Sequence, residues 1–327
     1  MSDAPLVAIV GPTGSGKSEL ALALAESFPG EIVNCDSVQI YRHLNIGTAK
    51  LAPEERRGIP HHMIDVADPN EPVTAGDYAR RVRPLLAGIV AAGRVPFVVG
   101  GTGFYLRALL EGLFPGPARA PLLRDRLTER EAARPGSLHR ILSRLDPPSA
   151  TRIHSRDVNK LIRALEVCLL SRRPLSALQA EGRDRLEGFL PLKIGLDPPR
   201  PLLYARLDRR CRAMFEGGLI EEVRRILSLG FPESSKPLES LGYRQALEVL
   251  RGRLDREEAV RLAQRGTRRY AKRQWTWFRR DPAIEWFAGF GAEEATQIAA
   301  IRRVGAYLLT FPRFASLVNQ RVSELLH

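Results

Sequence analysis

Cysteine is scarce in this chain, and long hydrophobic runs are missing. The three cysteines (Cys35, Cys168 and Cys211) are widely separated and form no C-x-x-C pair, which argues against a disulfide framework or a zinc site. No apolar run reaches the ~18–20 residues that span a bilayer, and the N-terminus lacks the basic-then-apolar pattern of a signal peptide. These absences predict a soluble cytoplasmic protein with reduced thiols and no membrane contact.

Negative charge is in short supply in the second part of the chain. The net charge is +13, but residues 1–115 carry 10 Lys and Arg against 12 Asp and Glu, whereas residues 116–327 carry 40 against 25. A strongly basic region beside a nearly neutral one favours a polyanionic partner such as nucleic acid. The alternative is a solvated, Arg-rich surface.

A complete phosphate-binding P-loop, G-x-x-x-x-G-K-S, follows the apolar run 6–10 and precedes a helical run. In that context the glycines let backbone N–H groups converge on phosphate oxygens, the lysine adds a point charge and the last hydroxyl can hold Mg²⁺. The loop consists of Gly11, Pro12, Thr13, Gly14, Ser15, Gly16, Lys17 and Ser18. It predicts binding of a phosphorylated compound with Mg²⁺, but not which compound.

The periodicity predicts an α/β fold: a P-loop parallel-sheet core with an inserted helical subdomain and a helical C-terminal region. We divide the chain into a core at 1–115, a helical, Arg-rich insert at 116–189, and a return to the core with basic helices at 190–327. Predicted strands are 6–10, 32–35, 96–99, 190–196 and 283–287; predicted helices are 17–28, 76–92, 103–112, 200–215, 218–229, 240–251, 255–280 and 292–309.

A carboxylate is missing where an NTP-hydrolysing P-loop protein usually has one, because the strand at 96–99 runs into Gly100-Gly101-Thr102. Instead Asp36 follows the second strand, at the edge where the P-loop also lies. It could be a general base or an indirect Mg²⁺ ligand, or simply a helix N-cap. Thr102 could bind a substrate or cap the next helix. His61 and His62 are expected to be structural.

Residues 255–280 form a basic helix in which Arg261, Arg265, Arg268 and Lys272 share one face. Its aromatic residues alternate with cations, a pattern suited to nucleic acid. The alternative is an amphipathic helix with aromatics in the core.

Taken together, these segments closely resemble tRNA dimethylallyltransferases over nearly the whole chain. The matching segments are 11–18, 36–41, 45–50, 60–65, 99–105, 159–167, 241–244 and 273–279. Only the P-loop is common elsewhere. Lys160 departs from the Arg or Gln expected at its position but keeps a polar group, and no appended zinc finger is present.

The resemblance implies that the P-loop holds the diphosphate of dimethylallyl diphosphate, with Mg²⁺ on Ser18, and that Arg224 reaches the same diphosphate. It further implies that Asp36 accepts the proton of an adenine amino group in the anticodon stem-loop of tRNA and that Thr102 fixes the geometry. The residues it implies for tRNA binding are Asp36, Ser37, Val38, Gln39, Thr102, Arg124, Asn159, Lys160, Leu161, Ile162 and Arg163.

Three other functions fit parts of the sequence. They are a P-loop small-molecule kinase, a prenyltransferase acting on free adenine nucleotides, and a non-catalytic RNA-binding module. The basic region favours tRNA over the first two, and the P-loop with Asp36 and Thr102 disfavours the third. We expect a monomer.

Overall fold

The structure is a computed structural model and describes residues 3–318 of the chain. Within that range a six-stranded parallel sheet has the strand order β3-β2-β4-β1-β5-β6. The strands are β1 (Ala4–Val10), β2 (Gly30–Asn34), β3 (His61–His62), β4 (Val95–Val99), β5 (Phe189–Asp197) and β6 (Ile284–Ala288). All six strands therefore end at one edge of the sheet, where ligands of such folds bind.

Helices connect these strands. In chain order they include α1 (Lys17–Ser27), α2 (Ala75–Ala91) and α3 (Gly103–Leu110), then α4 (Pro121–Ala133), α5 (Ser137–Leu145), α6 (Pro147–Arg152), α7 (Val158–Ser171) and α8 (Leu175–Ala180). After β5 come α9 (Arg200–Glu216), α10 (Leu219–Ser228), α11 (Tyr243–Leu250), α12 (Arg256–Phe278), α13 (Glu294–Leu308) and α14 (Pro312–Val318). Short 3-10 turns occupy Pro53–Arg56 and Lys236–Glu239.

The central strands are apolar along their whole length, as expected for strands covered on both faces. Residues 6–10 of β1 are at most 2% exposed, and two of them, Val7 and Ile9, share a core with β4, β5, α1 and α13. Tyr307 of α13 joins this core through its hydroxyl, which accepts the Leu6 N–H at 3.1 Å. The core fixes the start of the loop that follows β1.

The chain divides into two compact units, one ending at Leu109 and resuming at Glu187, the other running from Leu110 to Leu186. The second unit contains α4 to α8 and has its own apolar core, with Leu138, Leu142, Leu161 and Leu165 fully buried. Asp146 stabilises it by accepting the Ser149 N–H at 3.2 Å and the Ser176 N–H at 2.8 Å.

The predicted fold class is confirmed: the strand predicted at 190–196 pairs with β1 and so returns the chain to the first sheet. The two-residue strand β3 and the helix α14 were not predicted, because both are too short to show a periodicity. Residues 1, 2 and 319–327 of the predicted domains lie outside the described residues.

Candidate active site at the carboxyl edge of the sheet

The P-loop connects β1 to α1 and is held in a conformation that needs glycine. Gly16 has φ 91°, and a Cβ there would lie 2.6 Å from the Gly291 backbone nitrogen. Gly14 has φ 77°, and a Cβ would lie 2.7 Å from a methyl group of Leu207. Because positive φ and close packing both exclude side chains, only glycine at these two positions lets the loop keep this conformation at the N-terminus of α1.

Lys17 is the first residue of α1, and its ammonium group lies over the loop. Its Nζ donates to the carbonyls of Pro12 at 2.8 Å and Gly11 at 3.2 Å. Burial lowers the pKa of Lys17 from 10.5 to about 8, although the negative charge of Asp36 opposes this shift. A desolvated cation of this kind gains most when an anion binds beside it.

Two further cations reach the same cavity from α9, and sequence reasoning missed both. Arg206 pairs with Glu19 at 3.0 Å and lies over the Phe290 ring at 5.1 Å. Arg210, one turn on, makes no ion pair within 4.0 Å among the described residues, and burial lowers its pKa. The i, i+4 spacing of two arginines on the helix after β5 was the available signal.

Asp36 follows β2 and faces the P-loop cavity. Its Oδ1 accepts the N–H groups of Val38 at 2.8 Å and Gln39 at 3.3 Å, so this oxygen caps the turn after the strand. Within residues 3–318, Oδ2 accepts no hydrogen bond. No helix begins here within the described residues, so Asp36 caps a turn and not the helix weighed from the sequence, and its other oxygen is free for a ligand.

Thr102 joins the loop after β4 to the turn after β2. Its hydroxyl oxygen accepts the Ser37 N–H at 3.0 Å and lies 3.4 Å from the Ser37 hydroxyl. The helix that follows is capped instead by the Thr102 carbonyl, which accepts the Tyr105 N–H at 2.9 Å. The Thr102 side chain thus orients the segment that carries Asp36.

Gln274 on α12 bridges two strand-end loops, a role that the sequence did not reveal. Its Oε1 accepts the Thr13 N–H at 2.8 Å, and its Nε2 donates to the Gly101 carbonyl at 2.8 Å. The side chain is 5% exposed. A buried amide that satisfies a donor and an acceptor from different loops holds them at a fixed separation.

Two cavities meet at this edge, and Thr13, Asp36, Thr48 and Arg210 line both. The first contains the P-loop, Ser18 and Arg206. The second has a volume of about 390 Å³, within the ~300–1,000 Å³ of small-molecule sites. It continues from Ser37, Val38, Tyr270 and Arg273 to an apolar wall formed by Leu207, Met214, Phe215, Leu219 and Leu241.

Oxygen ligands for a divalent cation are available in the first cavity, where the Ser18 hydroxyl and the Asp36 carboxylate both form part of the lining. No cluster of three or more His, Cys, Asp or Glu side chains suited to a metal occurs within the described residues. This set fits Mg²⁺ held jointly by protein and phosphate oxygens, as Mg²⁺ prefers.

The segment that the resemblance assigns to tRNA binding in the second unit starts α7. Asn159 and Lys160 are exposed, whereas Leu161 and Ile162 are buried in the core of that unit. Arg163 and Arg124 both pair with the fully buried Glu166, at 2.6 and 3.2 Å. These two arginines therefore stabilise the unit as well as contributing positive charge.

Arg224 lies on α10, is mainly exposed, and pairs with Glu221 at 3.7 Å. It lines neither cavity, whereas Arg206 and Arg210 both line the first; the role of Arg224 at the diphosphate stays a prediction.

One cation of the basic face predicted on α12 is already paired within the protein, because Arg268 forms an ion pair with Asp208 at 2.5 Å. Trp275 and Phe278 are buried, as the amphipathic alternative required.

The two adjacent histidines have separate partners. His62 bonds Glu31 at 2.6 Å, and His61 Nδ1 lies 2.8 Å from the Ile59 carbonyl. His62 lines neither cavity, whereas His61 forms part of the lining of the first cavity. Every helix of the described residues is too short or too polar to span a membrane.

Comparisons with known proteins agree on one family. The family model described as IPP transferase matches residues 39–281. A curated relative from Solibacter usitatus, named tRNA dimethylallyltransferase, is 62% identical over 304 residues, covering 93% of this chain and 99% of the relative.

Solved structures give the same result. The tRNA isopentenylpyrophosphate transferase of Bacillus halodurans is 34% identical with a TM-score of 0.68, each chain being covered to 99%. A eukaryotic dimethylallyltransferase acting on tRNA is 27% identical with a TM-score of 0.78, covering 94% of this chain and 78% of that one. With this match over most of its length, the chain belongs to the IPP transferase family.

Proposed function

We propose that this protein transfers the dimethylallyl group of dimethylallyl diphosphate to N6 of the adenosine 3′ of the tRNA anticodon, releasing diphosphate. The relatives named above are dimethylallyl and isopentenyl transferases acting on tRNA. The observation that carries the chemistry is the placing of Asp36 between two cavities, one cationic and built around a P-loop, the other larger and partly apolar.

The diphosphate would lie in the first cavity. There the loop N–H groups, Lys17 and Arg210 provide donors and positive charge where the leaving group gains negative charge. Arg210, partly buried and without an ion pair among the described residues, supports an anion at this position, because a buried charge is costly unless it is paired. Arg206 would contribute from the side, as its charge is shared with Glu19.

Mg²⁺ fits the oxygen groups of Ser18 and Asp36 in this cavity. When bound, it would neutralise charge on the leaving diphosphate. Ser18 is the residue that we expect to hold it directly. The lack of a dedicated carboxylate cluster among residues 3–318 agrees with a metal that arrives together with the diphosphate.

Asp36 is the proposed general base. The adenine amino group is a weak nucleophile because its lone pair is delocalised into the ring, so it must lose a proton as the new C–N bond forms. The free Oδ2 of Asp36 is available for that proton, while Oδ1 is occupied by the backbone N–H groups of Val38 and Gln39. Thr102 would keep this turn in place through Ser37.

The reacting adenosine would occupy the second cavity. An extruded base needs an aromatic or apolar surface for stacking and polar groups at its edge. Tyr270 and the side chains of Ser37 and Val38 provide these beside Asp36, and Arg273 lies 5.6 Å from the Tyr270 ring centre. Extrusion from a loop is easier than from a duplex because fewer stacked pairs are lost.

The second compact unit would bind the anticodon stem-loop with Asn159, Lys160, Arg163 and Arg124. Its surface cations outnumber its acids, and Asn159 and Lys160 are exposed at the start of α7. We expect the protein to act as a monomer in the cytoplasm.

The test is a substrate panel. Purified protein is incubated with labelled dimethylallyl diphosphate, Mg²⁺ and either unmodified tRNA, AMP or ATP. Label in tRNA alone is expected. Label in AMP would instead indicate a free-nucleotide prenyltransferase, and failure to label any acceptor would refute prenyl transfer.

A further inference from the structure

Glu222 on α10 carries a buried carboxylate that lines neither cavity. The residue is 3% exposed, and within the described residues it makes no ion pair closer than 4.0 Å. Its neighbour Glu221 is exposed and pairs with Arg224. A buried carboxylate without a cation is costly unless hydrogen bonds replace its water, so its partners explain its presence.

The partners are consecutive backbone N–H groups of one loop. The Glu222 carboxylate accepts from Asn45 at 3.1 Å, from Ile46 at 2.9 and 3.1 Å, and from Gly47 at 3.5 Å. The hydroxyl of Tyr243, at the start of α11, donates to the same group at 2.6 Å. Successive N–H groups that converge in this way form an anion-binding concavity, here filled by the protein's own side chain.

The loop is also pressed against Tyr243. A Cβ on Gly47 would lie 2.4 Å from the Tyr243 ring, so only glycine fits there. The loop therefore has a carboxylate on one side of its backbone and an aromatic ring on the other, both on elements more than 170 residues along the chain.

This loop forms part of both cavities and connects to Asp36. Thr48 lines both, and its carbonyl accepts the Gln39 side-chain amide at 3.0 Å. The Gln39 backbone N–H in turn donates to Asp36 Oδ1 at 3.3 Å. Three links thus join the Glu222 carboxylate to the proposed general base: from Glu222 to the loop backbone, from Thr48 of the loop to Gln39, and from Gln39 to Asp36.

We propose that Glu222 is a positioning residue for prenyl transfer: its carboxylate holds the loop at 45–48 and, through Gln39, fixes the turn that carries Asp36. The inference rests on the proposed function. It predicts that loss of the Glu222 carboxylate slows the transfer step more than it weakens diphosphate binding. The reason is that the proposed diphosphate ligands Lys17 and Arg210 lie on α1 and α9, outside the loop at 45–48.

Glu222→Gln is the decisive substitution because it preserves size. An amide has one acceptor oxygen where the carboxylate has two, and its NH₂ group would face backbone N–H donors. We expect kcat with saturating tRNA and donor to fall about 10- to 100-fold, the size of effect caused by a misplacement of about 1 Å. The affinity for inorganic diphosphate should stay close to that of the unaltered protein. Glu221→Gln, one position away and exposed, is the matched control and should leave kcat unchanged.

Two results would overturn the inference: an unaltered kcat in Glu222→Gln, or a parallel loss of kcat and diphosphate affinity, which would indicate general destabilisation. If Glu222→Gln does not fold, Tyr243→Phe decides, since it removes one donor and keeps the ring. It should lower kcat by a few-fold, and no change would refute the proposal. Failure of the unaltered protein to label tRNA would refute the proposed function itself, whereas full activity of both variants would contradict this inference alone.

Discussion

Donor binding should weaken at alkaline pH because of Lys17. Burial lowers the pKa of Lys17 to about 8, and a bound diphosphate would restore it towards the ordinary value of 10.5. Above pH 8, binding must therefore be accompanied by proton uptake, so affinity falls as pH rises. If the bound pKa is near 10.5, linkage gives about tenfold weaker binding at pH 9 than at pH 7.

The assay is the dissociation constant of dimethylallyl diphosphate between pH 7 and 9, at fixed ionic strength and free Mg²⁺. A phosphate ester loses its last proton near pH ~6, so the ligand itself does not titrate in this window. Lys17→Arg is the matched control, because arginine stays protonated throughout. Its binding, even if weaker, should not vary over the range.

Two results would refute the reasoning. A flat profile for the unaltered protein would mean either that the pKa of Lys17 is not lowered before the donor binds or that Lys17 is not the cation at the diphosphate. An equal fall in Lys17→Arg would assign the titration to another group.

Three further predictions follow from the site. Asp36→Asn keeps an oxygen for the Val38 and Gln39 N–H groups but removes the base. We expect kcat to fall about 10²- to 10⁴-fold while tRNA affinity persists. A kcat within a few-fold of the original would exclude the base role. Arg210→Gln should weaken diphosphate binding by about tenfold or more, whereas Arg224→Gln should not. The measurement is inhibition by inorganic diphosphate. A larger loss of binding in Arg224→Gln than in Arg210→Gln would favour Arg224 as the diphosphate ligand. Lys272→Ala removes an exposed cation that has no ion pair among the described residues. We expect tRNA affinity to decrease and the slope of log affinity against log salt concentration to flatten by about one unit, with donor affinity as the control. An unchanged slope would place Lys272 away from the RNA.

The sequence predicted the elements that depend on local pattern. The P-loop is contiguous, and its flanking strand and helix are long and periodic, so both its structure and its place at the sheet edge could be anticipated. Asp36 could be singled out because it lies just beyond the end of a strand, β2. Of the alternatives left for it, the helix N-cap is wrong, because Oδ1 caps a turn that leads into no helix. The roles as general base and as indirect Mg²⁺ ligand stay predictions, for which Oδ2 is free.

Other features depend on contacts between segments that are distant along the chain, and a single sequence does not reveal which distant segments meet. Gln274 bonds residues 261 and 173 positions away, and Glu222 bonds a loop about 176 positions away. That Arg210 lines the two cavities and Arg224 lines neither became clear only when the rotation of α9 and α10 relative to the sheet was known. The partial burial of the basic face on α12 has the same origin, because Asp208 on α9 determines what Arg268 contacts.

The most direct test of the account is to locate the transferred group. After reaction with dimethylallyl diphosphate, unmodified tRNA is digested to nucleosides and fragments, and the modified position is mapped by mass spectrometry. The account predicts one dimethylallyl group on N6 of the adenosine 3′ of the anticodon, and none in a transcript with guanosine there. A group on any other nucleotide, or equal transfer to the guanosine transcript, would contradict it.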